Sequence, residues 1–248
     1  MIGPVRRESS TVVVLVGAVA EPLLAGLARS SNVSVVRPPG DEPDGLTAAA
    51  LALGQAARRR SPYVLVPADP LAGVAAEWAA MWDLTAGPGH AAAFEQQAAQ
   101  AVAAGRAGRF ELPDYYVVLT PGASPGDLAD PGAGAGPDRA AGAGGGTGMY
   151  LGPLRAARPR RVEAVVSAAD GEAAENTERV LAALRTLRHG PWWPLLDELI
   201  DSARHFFAGS LGAGGQPGPG GGQPTPGGQP SPGGGPPRPD TAARLASQ

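Results

Sequence analysis

Short valine-rich runs, apolar at consecutive rather than alternate positions, punctuate the chain at 11–17 (TVVVLVG), 32–37 (NVSVVR), 63–67 (YVLVP), 115–120 (YYVVLT) and 161–167 (RVEAVVS). Runs of that kind suit strands buried on both faces. Between them the apolar spacing lengthens to the helical period. Pro22 at a first helical turn opens a helix with Leu23, Leu24, Leu27 and Ala28 on one face. Asp44 is placed to cap a helix over 45–60, with a stripe of Leu46, Ala49, Ala50, Leu53 and Ala57. Helices follow over 70–83 and 91–104, parted by Gly87, Pro88 and Gly89.

Strand and helix alternating through short links, with no hairpin signal, predict a mostly parallel sheet inside a three-layer Rossmann-like α/β domain over 11–208. Residues 149–154 read as extended. Two helices close the domain. The first, over 171–188, is capped at or near Asp170, presents Val180, Leu181, Leu184 and Leu187, and is stopped by Gly190 and Pro191. The second starts at Pro194 and sets Leu195, Leu196, Leu199, Ile200, Ala203, Phe206 and Phe207 against Asp197, Glu198, Asp201, Arg204 and His205.

Two segments lack the side chains to build a core. Residues 122–148 are mostly Gly, Ala, Pro and Asp, which predicts a flexible insertion. After Gly209 the motif GGQP recurs at 214–217, 221–224 and 227–230. That composition predicts a disordered tail over 209–248, a solvated tether ending in PDTAARLASQ, without the every-third-residue glycine of collagen. Residues 1–10 are expected to be disordered as well.

At 248 residues the chain has room for one domain with appendages. There is no cysteine, so disulfides, thiolate catalysis and cysteine-ligated metals are excluded. Lysine is also absent, all twenty basic side chains being arginine, and this removes Schiff-base chemistry and a P-loop lysine. Heavy use of Ala, Gly, Pro and Arg matches the codon bias of a GC-rich bacterial genome. A net charge of -3 and a pI near 5.6 argue against nucleic acid or an anionic membrane surface as partner. The N-terminal apolar run is broken by Glu21 and Pro22 and reads as a strand, not an export signal. No stretch reaches the roughly 20 apolar residues of a membrane span. A soluble, cytoplasmic protein is the expectation.

Candidate chemistry centres on Asp69, at the carboxyl end of the third strand, where open α/β sheets bind ligands. A carboxylate there suits a metal held near an anionic substrate, whereas Asp69 before Pro70 equally suits a helix cap, the commoner use. Glu77, Trp78, Trp82 and Asp83 lie on the next helix. Glu77 is the second candidate ligand residue, and Trp78 and Trp82, four apart, share a face that more often packs in a core than on a flat ligand. Arginine groups at 58–60 and 158–161 suit an anion or, more commonly, solvated charge at helix ends. PWWP at 191–194 matches the name of a chromatin-reading domain, but an amphipathic helix follows it where a β-barrel would be needed. Histidine is limited to His90, His189 and His205, which sit too far apart in sequence for a local metal motif.

The segment from Gly45 to Pro70, GLTAAALALG and then SPYVLVPADP, resembles part of the sugar-nucleotide and molybdenum-cofactor nucleotidylyltransferases. There a glycine-led helix precedes an apolar strand ending in a metal-binding aspartate, so the resemblance implies that role for Asp69. The first strand departs from the family: it continues as VGAVAEPLLAG, without the glycine-rich loop and basic residue that grip nucleotide phosphates. Gly17 likewise lacks the neighbouring glycines of a dinucleotide fingerprint. No catalytic, metal or cofactor signature emerges, and the expected function is a non-catalytic partner-binding or scaffold protein. Its contacts would run through the C-terminal tail or the helix over 194–207. The alternative is a small-molecule or nucleotide-binding enzyme with its cleft near Asp69.

Overall fold

Five strands form one all-parallel sheet: β1 (Thr11–Gly17), β2 (Val33–Val35), β3 (Tyr63–Val66), β4 (Tyr115–Pro121) and β5 (Val162–Ser167), in the order β2-β3-β1-β4-β5. The computed structural model describes residues 10–42, 44–82, 89–121, 146–167 and 173–213. The first nine residues, Asp83, most of the glycine-rich insertion, the cap expected at Asp170 and the GGQP tail lie outside them. β1 is innermost. Its Val13 pairs with Leu65 of β3 on one side and with Tyr115 of β4 on the other. The order differs from that of the dinucleotide fold by exchange of β2 and β3.

The run of valines at 12–14 in β1 is explained by burial on both faces, since Val12, Val13 and Val14 are all fully buried. Alternate residues feed separate cores. Val13, Leu15, Leu65, Val117 and Leu119 pack under α1 (Glu21–Ala28) and α6 (Ala173–Thr186). Val12, Val14, Val66, Tyr116 and Val118 face the opposite layer. That layer holds α2 (Gly45–Ala56), α3 (Ala72–Ala80), α4 (His90–Arg106), α5 (147–157) and α7 (Leu196–Ala213). The result is the three-layer α/β architecture expected from the strand and helix pattern.

Several local features differ from expectation. Residues 149–154 are helical, not extended. They form the π-helical centre, Tyr150–Leu154, of the continuous helix α5, and the start of that helix at Thr147 and Gly148 is buried. Gly152 and Pro153 disguise the helix in sequence. Proline has no amide hydrogen to give, and a widened turn accommodates it. A Cβ on Gly152 would come within 3.2 Å of the Phe206 ring, so its absence lets α7 approach.

Asp44 does cap α2, its carboxylate accepting from the amides of Leu46 and Thr47 at 3.2 Å each. The helix ends earlier than expected, at Ala56, which leaves Arg58, Arg59 and Arg60 beyond its C-cap. Its buried face is Ala48, Ala49, Ala52, Leu53 and Ala56, while Leu46 and Ala50 sit at the margin and Ala57 is exposed. An alanine-rich helix carries little contrast between faces, so its apolar stripe could not be oriented by pattern alone. In α7, Leu199, Ile200 and Ala203 are buried and Leu196, Phe206 and Phe207 pack against them, but Leu195 precedes the helix and is 67% exposed. The helix continues past Gly209 to Ala213.

Candidate functional site

β1 ends at Gly17 with φ of 104°, a left-handed conformation that favours glycine. A Cβ there would also fall 2.4 Å from the carbonyl oxygen of Leu119 on β4. Gly17 thus serves close strand packing, and its neighbours Ala18, Val19 and Ala20 lead straight into α1. The chain leaves β1 toward the α1 layer and leaves β3 toward the opposite one, so the carboxyl ends of these paired strands form a topological switch point. Ligand crevices of open α/β sheets lie at such points.

Asp69 stands beside this switch point, in the turn between β3 and α3. Its side chain is directed inward, and the residue is only 9% exposed. The Tyr116 hydroxyl donates to Oδ1 at 3.1 Å, and the Tyr150 hydroxyl donates to Oδ2. The Leu71 amide donates to the same carboxylate, while the Ala72 amide bonds to the Asp69 carbonyl at 3.1 Å. Asp69 therefore braces the turn that leads into α3, as a capping residue would, and also anchors two tyrosines from distant elements. Leu71, not Asp69, is the residue that directly precedes the helix.

The electrostatics follow from this enclosure. Burial pushes the Asp69 carboxyl up to about 6, against the opposing pull of its bonds from Tyr150, Leu71 and Tyr116. Burial, followed by the charge of Asp69, raises both tyrosine hydroxyls well above their ordinary value and keeps them as donors. The rings of Tyr116 and Tyr150 lie 5.2 Å apart, and Trp193 meets Tyr116 edge-on at 5.6 Å. The Trp193 indole nitrogen donates to the Pro113 carbonyl at 2.7 Å. Chemically, the cluster can hold or release a proton.

Glu77 is not part of it. Its Oε2 lies 2.7 Å from Nδ1 of His90, which joins α3 to the first residue of α4. Trp78 and Trp82 are both buried, 5.4 Å apart and edge to face, in a cluster with Phe206 and Phe207. They are core residues. The Trp78 indole donates to the Ala203 carbonyl at 3.2 Å, whereas that of Trp82 has no partner among the described residues.

The second arginine group is also structural. Arg161 is buried, and its guanidinium donates to the carbonyls of Pro191, Asp114 and Gly190 at 2.8 to 2.9 Å. It lies over the rings of Tyr115 and Trp192 at 5.2 and 4.6 Å. Arg158 donates to the carbonyls of Trp192 and Ala157. The two prolines of PWWP thus frame a bend held by arginine. Trp193 points inward onto the sheet, and Trp192 is left 51% exposed.

Sequence pattern singled out Asp69, and named Arg161 and Trp193 only as members of the 158–161 arginine group and of PWWP; Tyr116 and Tyr150, which bond the carboxylate, it missed. Tyr116 was accessible in principle, because its position in β4 assigns it a face once the strand register is known. No group of three or more His, Cys, Asp or Glu side chains converges among the described residues. Among them, too, no helix is long and apolar enough to cross a membrane. No protein-family model matches the chain, and no curated protein matches it either.

Proposed function

We propose that this chain is a non-catalytic, partner-binding protein. The observation that carries this reading is the use made of Asp69: at the place where an open α/β sheet would present a ligand residue, the carboxylate is turned inward and bonded by Tyr116, Tyr150 and Leu71. Three large apolar side chains stand about half exposed or more on the described surface, Leu51, Trp192 and Leu195. The apolar stripe of α7 is spent on the protein's own core, so that helix offers a partner only its outer face and the exposed Leu195 before it.

A second reading, a small-molecule or nucleotide-binding enzyme with its cleft near Asp69, is favoured by one observation. A carboxyl near 6 is tuned toward the range in which a general acid or base works at neutral pH. One pair of measurements separates the two. Affinity purification of the tagged full chain from its source cells, followed by size-exclusion chromatography, is expected to yield a co-eluting protein. A thermal-shift screen of nucleotides, sugars and divalent ions is expected to show no stabilisation. Saturable stabilisation by a small molecule that Asp69→Ala abolishes, without any co-eluting protein, would replace the first reading with the second.

A further inference from the structure

The helix α2 has a second face. Opposite its buried alanines, Thr47, Leu51 and Gly54 follow one another at four- and three-residue intervals along the helix surface, and Arg58 stands just beyond its C-cap. With Ala104 of α4 and Arg109 in the loop after it, these residues bound an open groove of about 490 Å³. Leu51 is 47% exposed within it and gives the groove an accessible apolar side chain.

Gly54 forms a bare part of this surface. A glycine inside a helix costs about 1 kcal/mol relative to alanine and is commonly explained by a close neighbour. Here there is none, since a Cβ built on Gly54 would meet nothing within 4 Å. The exposed backbone leaves room for a group from outside to approach the helix closely. The charge of the groove is equally specific. Arg58 and Arg109 line it, among the described residues no carboxylate does, and Arg59 and Arg60 follow exposed just past α2. Asp44 registers the charge of Arg109, and its carboxylate accepts from the amides of Leu46 and Thr47 and from the Thr47 hydroxyl. The whole chain is net negative, so this is a local reversal of sign.

We infer that the α2 groove docks an acidic amphipathic segment of a protein partner, with an apolar side chain over Gly54 beside Leu51 and carboxylates on Arg58 and Arg109. The inference rests on the partner-binding reading and gives it a surface and a partner chemistry. An apolar floor between arginines favours such a peptide over a nucleic-acid backbone, whose phosphates gain nothing from Leu51 and Ala50.

The test uses the full chain and a synthetic fluorescent peptide patterned with leucine on one helical face and glutamate on the other. Saturable binding by anisotropy is expected, with amide shifts at Leu51 and Gly54 in two-dimensional NMR and weakening as salt rises. Gly54→Leu puts an apolar side chain into the groove from a position whose Cβ meets nothing within 4 Å, and Arg58→Glu reverses the charge there. Each is expected to weaken binding roughly tenfold or more, while thermal unfolding shows both variants folded. A lysine-for-glutamate version of the peptide should not bind. Equal binding to Gly54→Leu, equal binding of the lysine peptide, or the same amide shifts on concentrating the chain alone would overturn the inference, the last by assigning the groove to a second copy. Capture of the cellular partner by Gly54→Leu as efficiently as by the wild type would remove the groove and keep the partner-binding reading. Absence of any partner for the wild type would remove both.

Discussion

The hydroxyl of Tyr150 donates to Oδ2 of Asp69 across 81 residues of sequence, tying the π-helical turn of α5 to the exit of β3. Removing that hydroxyl leaves a buried carboxylate with Tyr116 and Leu71 as remaining donors. Tyr150→Phe is expected to destabilise the fold by about 1 to 3 kcal/mol, measured by urea denaturation at neutral pH. An unchanged midpoint would mean that the bond contributes nothing net.

Asp69 makes stability fall as pH rises. Its carboxyl titrates at about 6 in the folded chain and near the ordinary 3.8 once unfolded, so between these values the folded state binds the proton more tightly. The contribution of the protonated group is complete below about 4 and is lost by the time the pH has passed 6. Asp69→Asn has no charge to bury. Relative to the wild type, it should gain on the order of 3 kcal/mol between pH 4 and pH 7, read as the difference between two denaturation series. A constant difference across that range would place the titration elsewhere.

Gly17 is expected to tolerate no side chain. Gly17→Ala combines a left-handed backbone with a clash against the Leu119 carbonyl, a main-chain atom that cannot rotate away. A loss of more than about 2 kcal/mol, or failure to accumulate as folded protein, is the expected result by thermal denaturation. A soluble variant with an unaltered midpoint would contradict the β1–β4 geometry.

Arg161 holds three carbonyls at fixed angles. Lysine keeps the charge but not the planar fork, so Arg161→Lys should leave at least one of the Gly190, Pro191 and Asp114 carbonyls without its donor. The expected cost is about 2 to 4 kcal/mol. Fluorescence should report the same event, because Trp192 lies against the guanidinium and would lose that contact. Retention of both stability and emission would show that the bend at Gly190–Pro191 is held by other means.

What was legible in the sequence had local causes. Valine runs revealed the strands because both faces of this sheet are covered, and Asp44 revealed the start of α2 because a cap acts on amides two and three residues away. Asp69 was legible for the same reason, as the residue that closes a strand and braces a turn. Its real partners were not. Tyr116 and Tyr150 reach it from 47 and 81 residues away, and no periodicity connects such positions. The second face of α2 was hidden differently. Leucine at 46 and 51 and alanine around most of the circumference supplied no polar contrast, so burial had to be seen in three dimensions.

The position of β1 bears on how the chain comes to fold. The earliest strand described occupies the centre of the sheet, and its two neighbours are made only after β2, β4 being separated from it in sequence by α1 to α4. As the chain emerges from a ribosome, Val12, Val13 and Val14 must remain without their final hydrogen-bonding neighbours until those later strands arrive. During that interval an apolar strand with both edges unpaired stands open to pairing with other chains, so the order of synthesis leaves the centre of the sheet incomplete until β4 is made.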